Sequence, residues 1–295
     1  MTILSRIGSW LAVAVLWLLH WLPAPALSAL GRALGRLLYR FGRGRVTDTN
    51  LALCFPQLPA AERRALGLRH FEALGRSAID LSVLWFGSDE RLRGMVKLAG
   101  MENLEKFSGR AVIVFAPHFV GVDICGVRLA GEVPRTASIY SRQKNTVLDR
   151  YLMRGRLRLG SPLLLSRQDG IRAIVKALRD GRSLYFLPDM DFGRRDAIFS
   201  PFFGVPAATV TALPRLAQLG RAPVVPAVAR QVGEGYEVRL YPAWEDYPSG
   251  DLEADVRRMN AFIEERVREA PEQYFWAHKR FKTRPPGEAS PYRRK

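Results

Sequence analysis

Five short apolar runs, separated by stretches of helical period, constrain this chain more than any other feature. Residues 111–116, 138–140, 183–187, 224–229 and 236–241 have the length and the β-branched or aromatic content of strands. Helical periodicity falls at about 121–131, 146–159, 170–179, 209–219 and 251–269. The last is the clearest, with Leu252, Val256, Met259, Ile263 and Val267 spaced four, three, four and four apart. Strands alternating with helices predict an α/β fold, a single domain with a central, mostly parallel sheet flanked by helices. Upstream, Pro59 to Glu62 marks a helix start, and Leu66, Phe71, Leu74, Ala78, Leu81 and Leu84 roughly keep one helical face. Hydrophobic residues make up 48% of the 295, which is enough for a sizeable core and excludes a disordered chain.

Residues 7–22 carry no charge. As a helix they reach about 24 Å, slightly less than the roughly 20 residues of a full span supply. Pro23 and Pro25 break the run. Beyond them Leu30, Leu34, Leu37, Leu38 and Phe41 share one helical face, and Arg32, Arg36 and Arg40 the opposite one. An amphipathic helix of this kind suits a membrane surface. A secretory signal cleaved near Ala26 and a buried core helix are the competing readings of 7–22. Five arginines from Arg32 to Arg45 favour a cytoplasmic C-terminal side. The expectation is therefore a short or tilted span over about 7–22, N-terminus outside, with everything from Arg32 onward cytoplasmic. Residues 1–45 then form an anchor with an interfacial helix, 46–287 the catalytic domain and 288–295 a basic mobile tail.

The formal charge is +17, from 45 Lys and Arg against 28 Asp and Glu. Residues 1–45 contribute +6 and residues 279–295 another +6, leaving +5 for the 233 between. The middle is thus close to an ordinary enzyme, and the excess flanks it. Basic and aromatic residues interleave from Tyr274 to Arg284, a pattern that suits nucleic acid or anionic lipid. The hydrophobic N-terminus favours lipid, and no nucleic-acid partner is expected. Two cysteines build no disulfide framework, and the four histidines lack metal-ligand spacing. Neither a metal nor a cofactor is expected, and no P-loop or Gly-x-Gly-x-x-Gly fingerprint is present.

His118 follows the apolar run 111–116, with Asp123 five residues on. Positions i and i+5 lie about 140° apart on a regular helix, so His118 belongs in the strand-to-helix turn, with Asp123 in the first helical turns reaching back. Asp123 accepting from one ring nitrogen leaves the other as a base. A turn histidine beside a helix-start aspartate is the bland alternative, which one such match does not exclude. Gly-x-Ser-x-Gly is absent, and Cys125 reads as a small buried residue. A base without a protein nucleophile implies direct attack by a substrate group that His118 deprotonates.

Together with this His-x4-Asp motif and the N-terminal anchor, the blocks at 50–56, 154–158, 187–193, 201–204 and 271–285 resemble the late acyltransferases of bacterial lipid A biosynthesis. That is the lauroyl/myristoyl acyltransferase family of the lysophospholipid acyltransferase superfamily, and the likeness runs from about residue 3 to 287. It implies a glycerolipid-acyltransferase-like domain at the cytoplasmic face of the inner membrane, in contact with anionic lipids. It also implies acyl transfer from acyl-carrier protein to a hydroxyl of a Kdo-bearing lipid A precursor. Carried over by position, His118 is the general base and Asp123 its partner, while Arg156 and Asp189 are substrate-binding residues. Arg156 is suited either to a substrate phosphate or to an ion pair with Asp189 that ties two loops. Asp191 is a candidate to share the Asp189 role but reads first as a solvated loop acid, and His278 reads as structural. Two alternatives stay open: a lysophospholipid or other glycolipid acceptor, and a non-catalytic basic protein that binds membrane or nucleic acid.

Overall fold

The computed structural model describes residues 3–292. Two helices lead, α1 (Ile3–Leu19) and α2 (Ala24–Leu38), followed after a kink at Gly42 by α3 (Arg45–Cys54) and the long α4 (Ala60–Phe86). Then come α5 (Asp89–Met95), β1 (Val96–Ala99), α6 (Glu102–Glu105), β2 (Ile113–Phe115), α7 (Val122–Ala130), β3 (Thr136–Tyr140), α8 (Thr146–Arg156) and β4 (Leu163–Ser166). The rest is α9 (Gly170–Arg179), β5 (Ser183–Phe186), β6 (Ala197–Phe202), β7 (Val205–Val210), α10 (Ala212–Gly220), β8 (Val224–Val232), β9 (Gly235–Leu240) and α11 (Leu252–Glu269).

Seven strands form one sheet in the order β1-β9-β8-β2-β5-β3-β4, and only the β8–β9 hairpin is antiparallel. The expected mostly parallel sheet is present. Helices cover both faces, which is why the strands read as nearly continuous apolar runs. Alternate residues divide between two cores: Ile113, Phe115, Leu184 and Val224 face one, with Met259 and Ile263 of α11, and Val112, Val114 and Val225 face the other, with Ile124 and Val127 of α7. β6 and β7 stand apart as a two-stranded ribbon. Pro201 sits within β6, tolerated because a two-stranded ribbon leaves it an unpaired edge. The carbonyl of Pro201 accepts from Arg257 and Asn260 of α11, both at 3.0 Å.

α2 lies along α4 at very short range. A Cβ at Gly35 would stand 2.0 Å from the Phe71 carbonyl oxygen, and one at Gly75 would stand 2.1 Å from that of Gly31. Leu27, Ser28, Gly31 and Gly35 are the buried residues of α2, so Leu30, Leu37, Leu38 and, just beyond, Phe41 remain exposed. α1 and the turn after it pack on the body with Ser9, Val13 and His20, leaving Ile7, Trp10, Leu11, Val15, Trp17, Leu18 and Trp21 exposed.

The expected span over 7–22 is not found: among the described residues no helix is long and apolar enough to cross a membrane. Two physical reasons are visible. α1 ends at Leu19, ahead of Pro23, after 17 residues. One of its faces is tied to the domain, with Ser9 Oγ accepting from Asn145 at 2.6 Å and Trp10 edge-on to Tyr151 of α8. Toward the expected tail, the chain up to residue 292 makes contacts with the domain. Arg284 donates to the Pro206 carbonyl, and the Tyr292 hydroxyl donates to Asn50 and accepts from the Phe281 N–H. The final basic run of that expected tail, Arg293 to Lys295, lies outside the described residues.

Candidate active site

β2 and β5 are parallel neighbours with Phe115 opposite Phe186. Each chain then leaves the sheet through one residue and a proline, to His118 after β2 and to Asp189 after β5. Equal offsets from a shared register bring the two side chains together at the C-terminal edge of the sheet, where parallel α/β sheets place their sites. His118 Nδ1 lies 2.6 Å from Asp189 Oδ1, and the His118 main-chain N–H donates to Asp189 Oδ2 at 3.0 Å. One carboxylate thus holds both the ring and the backbone of the histidine. The 273–275 segment clamps the turn from outside: Val120 N–H donates to the Gln273 carbonyl, and Phe275 N–H to that of His118, both at 2.8 Å.

Asp189 is only 1% exposed. Burial pushes its carboxyl up, but His118, through its charge and two hydrogen bonds, and the nearby Arg280 outweigh burial and hold it below the usual carboxylate range. Arg280 is itself buried, and donates to the Ala208 carbonyl and Thr209 Oγ1 at 2.8 Å each. When the ring is neutral, an ionised Asp189 at Nδ1 fixes that nitrogen as the donor and leaves Nε2 with a free lone pair.

Asp123 is not the hydrogen-bond partner of His118. It sits in the first turn of α7, behind Gly121 at φ 81°, and Oδ1 accepts from Arg156 Nη2 at 2.7 Å. The physical reason for the correction is that Asp189 already occupies Nδ1, and Asp123 turns toward the last turn of α8 instead. The alternative pairing of Arg156 with Asp189 is likewise absent. Asp191 is not a solvated loop acid: it is buried and accepts from Gly193 N at 2.9 Å, Thr283 N at 2.6 Å and Thr283 Oγ1 at 2.8 Å. Its own N–H donates to His278 Nε2 at 2.9 Å, so His278 braces the loop that carries Asp189. Cys125 is fully buried. Among the described residues no group of three or more His, Cys, Asp or Glu is placed to hold a metal.

His118, Asp123 and Arg156 line the mouth of a cavity of about 920 Å³. It runs beside β3 from Tyr140 down to Thr136, walled by residues such as Val127, Ala130, Leu164 and Ile174. An apolar slot with a base and an ion pair at its mouth can hold a long hydrocarbon and present its polar head to His118. Around it the chain is strongly basic: residues 141–182 hold 11 Lys and Arg against 3 Asp and Glu. The +5 of the middle is therefore concentrated on this wall. Arg142, Lys144, Arg150, Arg154 and Arg172 are all exposed there.

Two histidines should make the fold acid-sensitive. Burial lowers His70 to about 4, and burial followed by the charge of Arg280 does the same to His278. Both folded values lie below the ordinary 6.5, so the unfolded chain binds more protons, and stability falls as pH drops from about 6.5 to about 4. For the fully buried His70 the loss amounts to about 3 kcal/mol at most. Urea midpoints across that range should show the decline, and His70→Gln should flatten part of it.

The family model for bacterial lipid A biosynthesis acyltransferases matches residues 1–283. The lipid A biosynthesis lauroyltransferase of Escherichia coli (strain K12) is 35% identical over 291 residues, covering 96% of this chain and 94% of its own. The lipid A biosynthesis palmitoleoyltransferase of the same organism matches with the same identity and coverage. The lipid A biosynthesis myristoyltransferase of that organism is 34% identical over 296 residues, covering 98% and 91%. Matched along nearly its whole length by the family model and by these relatives, this chain belongs to the bacterial lipid A biosynthesis acyltransferase family.

Proposed function

We propose that this chain transfers a fatty acyl group from the thioester of acyl-carrier protein to a hydroxyl of a Kdo-bearing lipid A precursor, by direct attack and without an acyl-enzyme. The observation that carries the reading is His118, backed by the buried Asp189 and lining the 920 Å³ cavity. The donor chain lies in that cavity with its thioester carbonyl at the mouth. His118 Nε2 takes the proton of the acceptor hydroxyl as its oxygen bonds to the carbonyl carbon. The tetrahedral adduct collapses with cleavage of the C–S bond, and the imidazolium returns the proton to the departing thiolate. Asp189 stabilises that imidazolium and keeps the ring in place. Arg156, steadied by Asp123 through one nitrogen, offers its other N–H groups to a phosphate or an anionic sugar of the acceptor. The basic rim from Arg142 to Arg172 supports docking of an acidic carrier protein at the cavity mouth.

The test is a panel of acceptors offered with acyl-carrier-protein and coenzyme A thioesters. Transfer from the carrier-protein thioester to the lipid A precursor, well above that to lysophospholipid, is expected. A preference for lysophospholipid, or for the coenzyme A donor, would refute the corresponding half of the assignment.

The same reading places the protein at the cytoplasmic face of the inner membrane, resting on α1 and α2 in the plane of the interface. Its support is the row of exposed apolar residues Trp10, Leu11, Trp17, Leu18, Leu37 and Phe41. Leu11→Asp with Leu18→Asp should sharply reduce cosedimentation with vesicles containing anionic phospholipid. Undiminished binding would move the contact to another surface.

A further inference from the structure

Direct transfer onto a hydroxyacyl chain requires two hydrocarbon chains to converge on one imidazole. The large cavity serves one of them. The acceptor hydroxyl is attached to a chain that continues beyond it, and that remainder needs an apolar path of its own, since burying it elsewhere than in water is favourable for every methylene.

A second cavity of about 230 Å³ lies on the other side of Asp123, between α4 and α7. Its α4 wall is Leu74, Ala78, Leu81 and Leu84, one face of that helix, and Ile124 of α7 stands opposite. The two cavities share one residue, Asp123. Its ion pair with Arg156 therefore marks the partition between them, one helical turn from the His118 loop. The turn is pinned from the same side by α4, where Ser77 Oγ accepts from the Gly121 N–H at 3.0 Å. The acid on the α4 wall is already engaged, Asp80 accepting from the Tyr236 hydroxyl at 2.6 Å. Leu84 and Leu81 also pack in the cluster that contains Val13 and Leu16 of α1, the helix whose outward face is apolar and exposed. The wall of the small cavity is thus continuous with the underside of that lipid-suited surface.

We propose that this second cavity is the acceptor subsite, holding the first methylenes of the acceptor's hydroxyacyl chain beyond the hydroxyl that attacks. The inference rests on the acyl-transfer reading above and deepens it. The donor chain occupies the large cavity, the acceptor chain enters along α4 from the α1 side, and the Asp123–Arg156 pair separates them beneath His118. The volume suits a handful of methylene-sized groups, so only the chain segment next to the hydroxyl is held.

Ala78 is exposed on α4, so a larger side chain there fills the cavity without entering the core. Full-length wild type, Ala78→Leu and Ala78→Trp should be assayed with a long-chain and a short-chain 3-hydroxyacyl glycolipid acceptor. The KM for the long-chain acceptor should rise stepwise with side-chain size, by roughly tenfold or more for tryptophan. The short-chain acceptor and the KM for the donor thioester should be unaffected. An unchanged long-chain KM in Ala78→Trp would overturn the inference, as would a rise in donor KM or an equal loss with both acceptors. Wild-type protein inactive on every hydroxyacyl acceptor would instead overturn the acyl-transfer reading, and this inference with it.

Discussion

Asp189→Asn is expected to lower kcat by roughly 10³–10⁴-fold, the loss seen when the buried acid behind a catalytic histidine becomes an amide. The carboxylate of Asp189 accepts from two donors at once, the ring Nδ1–H and the main-chain N–H of His118. An amide has one accepting oxygen and one donating nitrogen, so it can satisfy only one of them. If the amide oxygen keeps the backbone N–H, the amide NH2 faces the ring, and the proton moves to Nε2, where the base is needed. If it keeps the ring, a buried N–H is left facing a donor, at a cost of about 1–3 kcal/mol. The first outcome removes the pre-set base, the second keeps the tautomer but strains the turn, and both lose the carboxylate charge that stabilises the imidazolium; thermal unfolding alongside steady-state rates would separate the chemical loss from the structural one. A loss below about tenfold would mean that the pair is a structural contact.

His118→Ala should cost roughly 10²–10⁴-fold in kcat, since it deletes the proposed general base. Because the two residues act as a unit, Asp189→Asn introduced into His118→Ala should cost little more than His118→Ala alone. Rates for the two single variants and the double variant give this directly. Additive losses would show that Asp189 serves catalysis by a route that does not pass through the imidazole. Substrate binding should survive in both, because the cavity walls from Val127 to Ile174 are untouched.

The strand-helix alternation carried most of the fold. Runs at 111–116, 183–187, 224–229 and 236–241 became β2, β5, β8 and β9 within a few residues, because β2, β5 and most of β8 are buried on both faces and so apolar, while β9 alternates buried and polar residues. β1, β4 and the β6–β7 ribbon escaped notice. β1 and β4 are the short strands at the two edges of the sheet, and the ribbon contains Pro201 and Pro206, residues that normally argue against a strand. His118 was legible from its place after an apolar run, but its partner was not. Asp123 is near in sequence, whereas Asp189 is 71 residues away, and proximity in the chain stood in for proximity in space. A signal was nonetheless present: Phe115-Ala-Pro-His118 and Phe186-Leu-Pro-Asp189 are matched strand exits, and two parallel strands in register would bring their fourth residues together. The burial of Asp191 was hidden for a similar reason, since its partners Thr283 and His278 arrive from the other end of the chain. For α1, hydropathy alone could not show that one face would be spent on α8 and α4.

The central claim, that Asp189 and not Asp123 orients the catalytic imidazole, is tested most directly by nitrogen-15 NMR of histidine-labelled protein, with wild type, Asp189→Asn and Asp123→Asn compared at neutral pH. Wild type and Asp123→Asn should both show His118 protonated at Nδ1 with a strongly deshielded ring proton, and Asp189→Asn should lose that proton signal and move toward the Nε2–H tautomer. A His118 spectrum that shifts in Asp123→Asn and stays unchanged in Asp189→Asn would contradict the account.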